Sequence, residues 1–426
     1  MRRSVFLVLA ALLSILAQAQ DTLHLTLAEA EKLALDNNPQ VTSAKFTAAA
    51  GAQIPAQFHA AFEPQMFGSL TGVGADSGSR LAAGALNNPV VYNRLGSGFS
   101  GSQLITDFGR TGNLVASAKY RAESQGELSS ATRAQVLLTT DRAYYGVLRS
   151  QALLKVAQET VRARQLVADQ VSLLAKSKLK STLDVSFANV NLADAKLLLA
   201  GAQNDIRAAV VDLATAMGIP GEKAFVLAEE PLPDPLPDKI EPLIQEALGK
   251  RPELASLRLE RSAAERFAQA ERALAFPSVG LVGTAGFVPA GQAVVPGRYG
   301  AVGVNVNIPV FNGGLFKARR TEAELRTKAA EQNVNDLRNR IARDVRVAYL
   351  NAETGYERVG LSQQLLDQAL MGLDLAQQRY TLGLGSIVEL SQAQLNVTSA
   401  QIANTSAKYD YQAQRSVLAF QVGALQ

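Results

Sequence analysis

Two stretches of the chain repeat apolar or small residues at alternating spacings of three and four. The first set is Val185, Ala188, Leu192, Ala195, Leu199, Ala202, Ile206, Ala209 and Leu213. The second, more polar set follows at an offset of 205 and is Leu390, Ala393, Val397, Ala400, Asn404, Ala407, Tyr411, Gln414 and Leu418. We call each set a seam. This heptad spacing predicts extended, coiled-coil-like packing of long helices. The core of an ordinary helix bundle is the alternative.

Alternation with a period of two predicts β-strands elsewhere. Apolar and small or polar residues alternate from 302 to 310 and from 279 to 287, with weaker equivalents at 62–74 and 96–106. Because successive side chains of a strand point to opposite faces, this pattern predicts strands with one apolar face. Each strand is about ten residues long, which is enough to cross a bilayer at a tilt.

The prolines mark where long helices are allowed. None of the 15 lies between Pro89 and Pro220, and none follows Pro309. Proline breaks helix interiors, so residues 90–219 and 310–426 can form long helices. A helix from about Phe108 to Lys178 would run ~100 Å. Six prolines fall within 220–242 and predict an extended linker.

The two halves of the chain repeat one pattern. Pro39 matches Pro252 at an offset of 213, whereas the pair Ala143-Tyr144 matches Ala348-Tyr349 at an offset of 205. Each half is predicted as helix, strand, loop, strand, long helix, turn, long helix. The predicted segments are a signal peptide 1–19, a first repeat 20–218 (β-hairpin 62–106, helical hairpin 107–218), a linker 219–242 and a second repeat 243–426 (β-hairpin 276–311, helical hairpin 312–424).

Export is predicted by the first 19 residues. They combine Arg2 and Arg3, an apolar run and the sequence Ala17-Gln18-Ala19, as a secretory signal peptide does. A membrane anchor is the alternative, but the run is shorter than the ~20 residues of a membrane-spanning helix. The net charge of +4 includes both of these arginines, so no nucleic-acid partner is predicted. The chain has no cysteine, so neither a disulfide nor a lipoprotein anchor is expected.

The sequence predicts no enzyme, and no catalytic, cofactor or metal site. "GSGFSG" (96–101) falls inside a predicted strand rather than after one, and "DFG" (107–109) lacks the other kinase motifs. The two histidines, His24 and His59, are far apart and lack metal-ligand spacing.

Four strands are too few to close a barrel alone. Strands in lipid must close, because an open edge leaves backbone groups unpaired, and bacterial barrels have at least about eight strands. If these strands lie in a membrane, the chain must oligomerise. A small water-soluble β-domain is the alternative, but the signal peptide and the aromatic residues of the strands favour the membrane.

With these features the chain resembles the TolC-type outer-membrane efflux proteins. The resemblance rests on the twofold repeat, the junctions "ITDFGRTG" and "IPVFNGGLF", and the turns "LKSTLDV" and "YTLGLGSIVEL". It implies an α+β membrane protein that forms a homotrimer. Three chains with four strands each would form a 12-stranded transmembrane β-barrel in outer-membrane lipid, and the helical hairpins would form an α-barrel in the periplasm.

The implied function is the passive outer-membrane exit duct of a tripartite efflux or type I secretion system. Its implied partners are a periplasmic membrane-fusion adaptor and an inner-membrane pump of the RND, ABC or MFS type. One alternative is a periplasmic coiled-coil adaptor or scaffold that never enters the membrane. A closed-barrel enzyme is another, for which no residues can be nominated.

The turn at 381–386 is predicted to reverse a helical hairpin. Gly383 would end one helix in a left-handed conformation, and Ser386 would cap the next with Glu389 as a capping box. Ser181 and Asp184 repeat this device in the first half.

By resemblance, these turns are the tips that dock onto the adaptor. The candidate docking residues are Leu179, Ser181, Gly383, Leu384 and Ser386. The alternative is that these residues only form turns. The family also closes its periplasmic end with acidic rings, which makes Asp184 and Glu389 candidate aperture acids. A second acid of the family's pattern is Gln392 here, which weakens the prediction of a two-ring cation filter. Carboxylates that only cap their helices are the alternative.

Overall fold

The computed structural model describes residues 23–80, 90–220, 225–291 and 293–425. The predicted signal peptide and part of the first inter-strand loop lie outside these residues. Before the Pro-rich linker the elements are β1 (Leu23–Leu25), α1 (Leu27–Asn37), α2 (Pro39–Gly51), α3 (Ile54–His59), β2 (Gln65–Val73), β3 (Arg94–Thr106), α4 (Arg110–Lys176) and α5 (Thr182–Ala216). The remaining elements are β4 (Phe225–Leu227), α6 (Glu241–Lys250), α7 (Pro252–Ala273), β5 (Ser278–Gly291), β6 (Arg298–Asn307), α8 (Leu315–Thr381) and α9 (Ile387–Val422).

The predicted twofold repeat is confirmed by the positions of these elements. Helices α4 and α8 have 67 residues each, and α8 begins and ends at the predicted offset of 205 from α4. The starts of β2 and β5, and those of α2 and α7, keep the other predicted offset of 213. The change of offset falls between the two strands of each β-hairpin.

Backbone conformation repeats as closely as the elements do. Left-handed φ angles occur in four pairs that keep the offset of 205, namely Phe108 with Gly313, Gly109 with Gly314, Lys178 with Gly383, and Gly218 with Gly423. The first two pairs join a strand to a long helix, the third reverses the helical hairpin, and the fourth ends it. Each repeat thus turns at the same places, even where only one copy has glycine.

The described residues form two compact units. Unit 1 contains the described residues of Met1–Lys45, Ser129–Pro252 and Arg338–Gln426. One of its cores surrounds the fully buried Tyr144, Leu213 and Met217. Every member of both seams is buried or half-buried, so the heptad spacing located the packed sides of α5 and α9.

Helix α5 ends where it meets another element of unit 1. Gly218 follows α5 with φ +68°, and a Cβ there would lie 2.6 Å from the carbonyl oxygen of Asn37 at the end of α1. Only glycine allows that close approach. Gly423 stands in the same way against Lys250 and Arg251 at the end of α6.

Unit 2 contains Phe46–Leu128 and Glu253–Leu337. Its sheet has the order β2-β3-β5-β6, and every neighbouring pair is antiparallel. The predicted alternation runs further than the last strand, because β6 ends at Asn307 and excludes Ile308 and Val310. Pro309 lies in this excluded segment, and proline has no N–H for a strand ladder.

Two short strands were not predicted. Strands β1 and β4 have three residues each and pair in parallel, with Leu25 opposite Leu227. Such a short run cannot show a period of two, and the two partners are far apart in sequence. Strand β4 lies inside the predicted linker, and α6 begins at Glu241, before the predicted start of the second repeat. Within the described ranges, no helix has the length and apolar composition of a membrane span.

Candidate functional site

The turn between α4 and α5 is a Schellman motif followed by a serine cap. Lys178 has φ +60°, its N–H donates to the oxygen of Ala175, and the N–H of Leu179 donates to that of Leu174. This arrangement satisfies carbonyls that a helix end otherwise leaves unpaired. Ser181 then caps α5, because its Oγ accepts the N–H of Asp184 at 3.1 Å. Asp184 Oδ2 accepts in return from Ser181 N at 2.9 Å, which completes the predicted capping box.

The turn between α8 and α9 repeats this motif with one difference. Gly383 has φ +76°, the N–H of Leu384 donates to Arg379 O at 2.8 Å, and Ser386 Oγ accepts the N–H of Glu389 at 3.1 Å. The predicted capping box is only half formed, since the Glu389 carboxylate pairs with Arg379 (Nε to Oε1, 3.0 Å). Gly385 has no left-handed backbone, so the turn needs only one such glycine.

The residue opposite each carboxylate explains this difference. Arg379 corresponds to Leu174 in the first repeat, so Asp184 has no arginine at that position. A charge-assisted bond is stronger than one to a neutral N–H. Glu389 therefore pairs with the guanidinium, whereas Asp184 bonds its own N-cap.

The two turns lie side by side. Lys180 Nζ sits 3.9 Å from the ring centroid of Tyr380, a cation–π contact from the first turn to the end of α8. Beneath the turns, a core joins all four long helices and includes Val171, Leu192, Tyr380 and Leu390. Burial, and secondarily the charge of Asp184, raises the pKa of Tyr380. We call the two turns together, residues 177–186 and 379–389, the tip.

The tip exposes leucines that its fold does not use. Leu179 is 70% exposed and Leu384 is 69% exposed, and Leu183 and Leu382 are exposed to a similar degree. Ser181, Gly383 and Ser386 are exposed as well. All five predicted docking residues are therefore accessible in the chain. Leu183, Leu382, Arg379 and the Lys180–Tyr380 pair were not predicted, although two leucines flanking each turn could have been noticed in the sequence.

The sheet has one apolar face. Paired residues share a face and alternate along each strand, and the strand register places the following large apolar residues together: Met66, Leu70, Phe99, Leu281, Phe287, Val302, Val304 and Val306. We call this set the apolar face. Its members are exposed, from 39% for Leu281 to 78% for Val302.

The opposite face is mainly polar. It carries Ser69, Thr71, Ser100, Ser102, Thr284 and Asn305, with Phe67, Val73 and Val282 among its apolar exceptions. Tyr299 also lies on this face, with its ring directly over Gly98 and Gly286, where any Cβ would collide with it. Among the described residues, the outer edges of β2 and β6 pair with no further strand.

Comparison with known proteins identifies this combination of repeated hairpins and a four-stranded sheet. The family model described as "Outer membrane efflux protein" matches residues 31–219 and 243–424. The chain belongs to the outer membrane efflux protein family. The two matched segments of the outer membrane efflux model correspond to the two repeats and leave out most of the Pro-rich linker.

Several named proteins are similar to this member of the outer membrane efflux protein family. The alkaline protease secretion protein AprF of Pseudomonas aeruginosa is 26% identical over 424 residues, which is 95% of this chain and 86% of AprF. The outer membrane efflux protein BepC of Brucella suis is 24% identical over 315 residues, 72% of this chain and 68% of BepC. The solved structure of CusC superposes with a TM-score of 0.82 at 19% identity, covering 93% of this chain and 92% of CusC.

Membership of the outer membrane efflux family decides between the hypotheses drawn from the sequence. The protein is an outer-membrane channel for efflux or secretion, with its helical part in the periplasm. This family is one of channels rather than enzymes.

Proposed function

We propose that this protein is the passive exit duct of a tripartite efflux or type I secretion system and works as a homotrimer. The observation that carries the proposal is the apolar face, on a sheet whose two edges have no partner strand in the described part of the chain. In lipid, such edges must find partners. If β2 of one chain pairs with β6 of the next, three chains with four strands each close a 12-stranded barrel whose apolar face contacts outer-membrane lipid.

The tip is the proposed docking site for a periplasmic membrane-fusion adaptor. Exposed leucines around rigid turns suit helical partners, which bury apolar residues at regular spacing. Leu179 and Leu384 would supply the apolar contacts, while Ser181, Gly383 and Ser386 would hold the turns in shape. The adaptor would connect the duct to an inner-membrane pump of the RND, ABC or MFS type. The duct itself needs no energy source, because the pump drives transport.

Glu389 is the proposed aperture acid, whereas Asp184 is assigned to capping. In the first turn, Ser181 and Asp184 each accept a backbone N–H of the other, so the Asp184 carboxylate is already engaged in the capping box. Glu389 is nearly half exposed and held by one surface ion pair, which is worth about 0–1 kcal/mol. Its carboxylate could therefore exchange Arg379 for a passing cation when the tip opens.

Membrane fractionation with mass measurement tests the proposed function. We expect the mature protein in the outer-membrane fraction, extracted only by detergent, with a light-scattering mass of three chains. A single chain recovered in the soluble periplasmic fraction would contradict the proposal and would favour a periplasmic scaffold.

A further inference from the structure

The segment from 228 to 237 is confined to extended backbone by its own sequence. It reads "AEEPLPDPLP", with proline at every second position from Pro231 to Pro237. Each proline fixes φ at about −65°, and each residue before a proline is pushed out of the helical region. Residues 230–237 are therefore restricted almost entirely to the polyproline II conformation, which repeats every third residue.

Burial along this segment follows the same period of three. Glu230, Pro233 and Leu236 are half-buried, and every other side chain from 228 to 237 is exposed. A β-strand would bury every second residue. One edge of a threefold helix therefore faces the protein.

The three tyrosine hydrogen bonds also follow this period. Tyr144 Oη donates to Ala228 O at 2.7 Å, Tyr411 Oη to Asp234 O at 3.0 Å, and Tyr349 Oη to Pro237 O at 2.8 Å. The spacings between these acceptors are six and three. Gln412 Nε2 donates between Ala228 and Asp234, at 3.0 Å to Glu230 O, which lies off this period, and at a longer 3.5 Å to Pro231 O, which lies on it. Arg415 Nη1 adds a second donor to Asp234 O at 3.0 Å.

The donors form a site made for carbonyl oxygens. Proline lacks an N–H, so a proline-rich strand offers acceptors and few donors. The groups that face these carbonyls are all donors, namely tyrosine hydroxyls, the Gln412 amide and the Arg415 guanidinium. Tyr144 and Tyr411 are fully buried and Tyr349 nearly so. The Tyr144 hydroxyl also lies 3.1 Å from Leu25 O, which remains as an acceptor without the strap, so Tyr349 and Tyr411 carry the test of the site. The Tyr356 ring packs 5.4 Å from that of Tyr411 and supports it.

We propose that residues 228–237 are a polyproline II ligand, bound within the chain by a dedicated tyrosine-lined site on α4, α8 and α9. We call this segment the strap. Its donors lie on three helices of unit 1, so the bound strap ties these helices together at one level. This role is independent of what the channel transports or docks to. It also explains why the linker between the repeats is proline-rich, since a flexible linker would bind with a larger entropy loss.

A peptide-binding experiment tests the site directly. In the full-length protein, residues 229–237 are replaced by a Gly-Ser sequence of equal length, and a fluorescent peptide EEPLPDPLP is added. We expect saturable binding by anisotropy with a Kd of roughly millimolar or below, because a tethered strap has an effective concentration of about that order and fills the site only if its Kd is lower. We expect no binding to the unaltered protein, whose site is filled, and at least about tenfold weaker binding of the peptide EEALADALA.

Two results would overturn the proposal. One is a lack of saturable binding to the Gly-Ser variant. The other is equal binding to that variant and to its derivative with Tyr349→Phe and Tyr411→Phe.

Hydrogen exchange covers the case in which the Gly-Ser variant does not fold. In the otherwise intact chain, Tyr349→Phe with Tyr411→Phe should speed exchange of α8 and α9 amides near these residues by at least about fivefold, since it removes the tyrosine donors that hold the strap on these two helices. Tyr356→Phe is the matched control. It also removes a tyrosine hydroxyl next to Tyr411, but the strap carbonyls accept from other side chains and keep their donors. Equal exchange in the double variant and the control would refute a bound strap.

Discussion

Lys178 and Gly383 occupy the same place in the two repeats and share a left-handed backbone, with φ of 60° and 76°. Each follows a long helix at the reversal of its hairpin, and each donates its N–H to the carbonyl of the third residue before it. One repeat uses glycine, and the other places a lysine where L-residues are strained by about 1–2 kcal/mol. The fold therefore imposes this turn against the preference of one of its two sequences.

Relief of this strain gives the first prediction. Lys178→Gly should stabilise the protein by about 1 kcal/mol, because glycine adopts positive φ without a Cβ clash. Lys176→Gly is the matched control at the end of α4, where glycine should destabilise by up to about 1 kcal/mol. Chemical unfolding followed by circular dichroism would compare the two. Equal destabilisation by both substitutions would contradict a strained Lys178.

The second prediction concerns the tip as a docking surface. Gly383→Val with Gly385→Val should leave the trimer intact but abolish transport. The first change forces a β-branched residue into left-handed backbone, and the second places a Cβ 3.2 Å from Arg379 Cβ. Trimer mass, adaptor binding and efflux would be measured together. Gly372→Val, on α8 with open space around it, is the control and should retain transport. Full adaptor binding by the tip variant would contradict the proposal that the tip docks onto the adaptor.

A third prediction follows from an ion pair in unit 2 between the buried Glu271 and Arg319, whose side chain is 41% exposed. Glu271 is 2% exposed and receives two bonds from Arg319, at 2.7 and 2.9 Å. Arg319→Ala should cost about 1–3 kcal/mol, because it leaves the buried carboxylate without its charged donor, while the place of the partly exposed guanidinium is open to water. Arg320→Ala removes a more exposed pair with Glu324 and should cost about 0–1 kcal/mol.

The same pair allows a rescue test. Glu271→Leu combined with Arg319→Met should recover most of the stability lost in Arg319→Ala, since apolar residues can replace a buried pair. Denaturant midpoints would rank the variants. Similar losses of stability in Arg319→Ala and Arg320→Ala would show that the burial of Glu271 does not increase the cost of removing its partner.

The fourth prediction concerns pH. Asp141 on α4 is 2% exposed, and it contacts Ser416 on α9 and Glu31 on α1. Tyr145 on its own helix feels the charges of both Asp141 and Glu230 of the strap. Burial, followed by the charge of Glu31, raises the Asp141 pKa from 3.8 to about 7.

The sign of the pH effect follows from proton binding. Between these two pKa values the folded chain holds a proton that the unfolded chain has lost, so stability should fall as pH rises from about 4 to about 7. Asp141→Asn should flatten this fall and raise the unfolding temperature near pH 8. Asp410→Asn, an exposed acid paired with Arg149, is the control. A wild-type stability that rises over the same range would contradict a buried, protonated Asp141.

Much of the helical fold was predictable because its signals are local or periodic. The seams located the packed sides of α5 and α9, and the absence of proline allowed the two longest helices. The strands of the sheet followed from alternation, although Pro309 ended β6 earlier than the alternation suggested. The two serine caps were predictable because Ser181 and Ser386 each directly precede a helix and are followed three residues later by an acidic residue.

The features that were missed depend on distant partners. The Glu389 carboxylate pairs with Arg379 instead of accepting from the backbone N–H of Ser386. Only the reversal of the chain brings Arg379 and Glu389 together. Strands β1 and β4 are short and are separated in sequence by the whole first repeat. The linker was predicted as extended, but its binding site was not predicted. The tyrosines that donate to its carbonyls, Tyr144, Tyr349 and Tyr411, lie far from it in sequence. Only the packing of the helices brings them into line with the carbonyls.

The most direct test of the channel assignment is single-channel conductance in a planar bilayer. The protein would be extracted from the outer membrane, and its trimer state checked by light scattering. We predict a trimer with small, discrete, cation-preferring conductance steps, and a weaker cation preference in Glu389→Gln. A monomer that never inserts and gives no steps would show that the protein is not a channel, and the exposed apolar face would then need another partner.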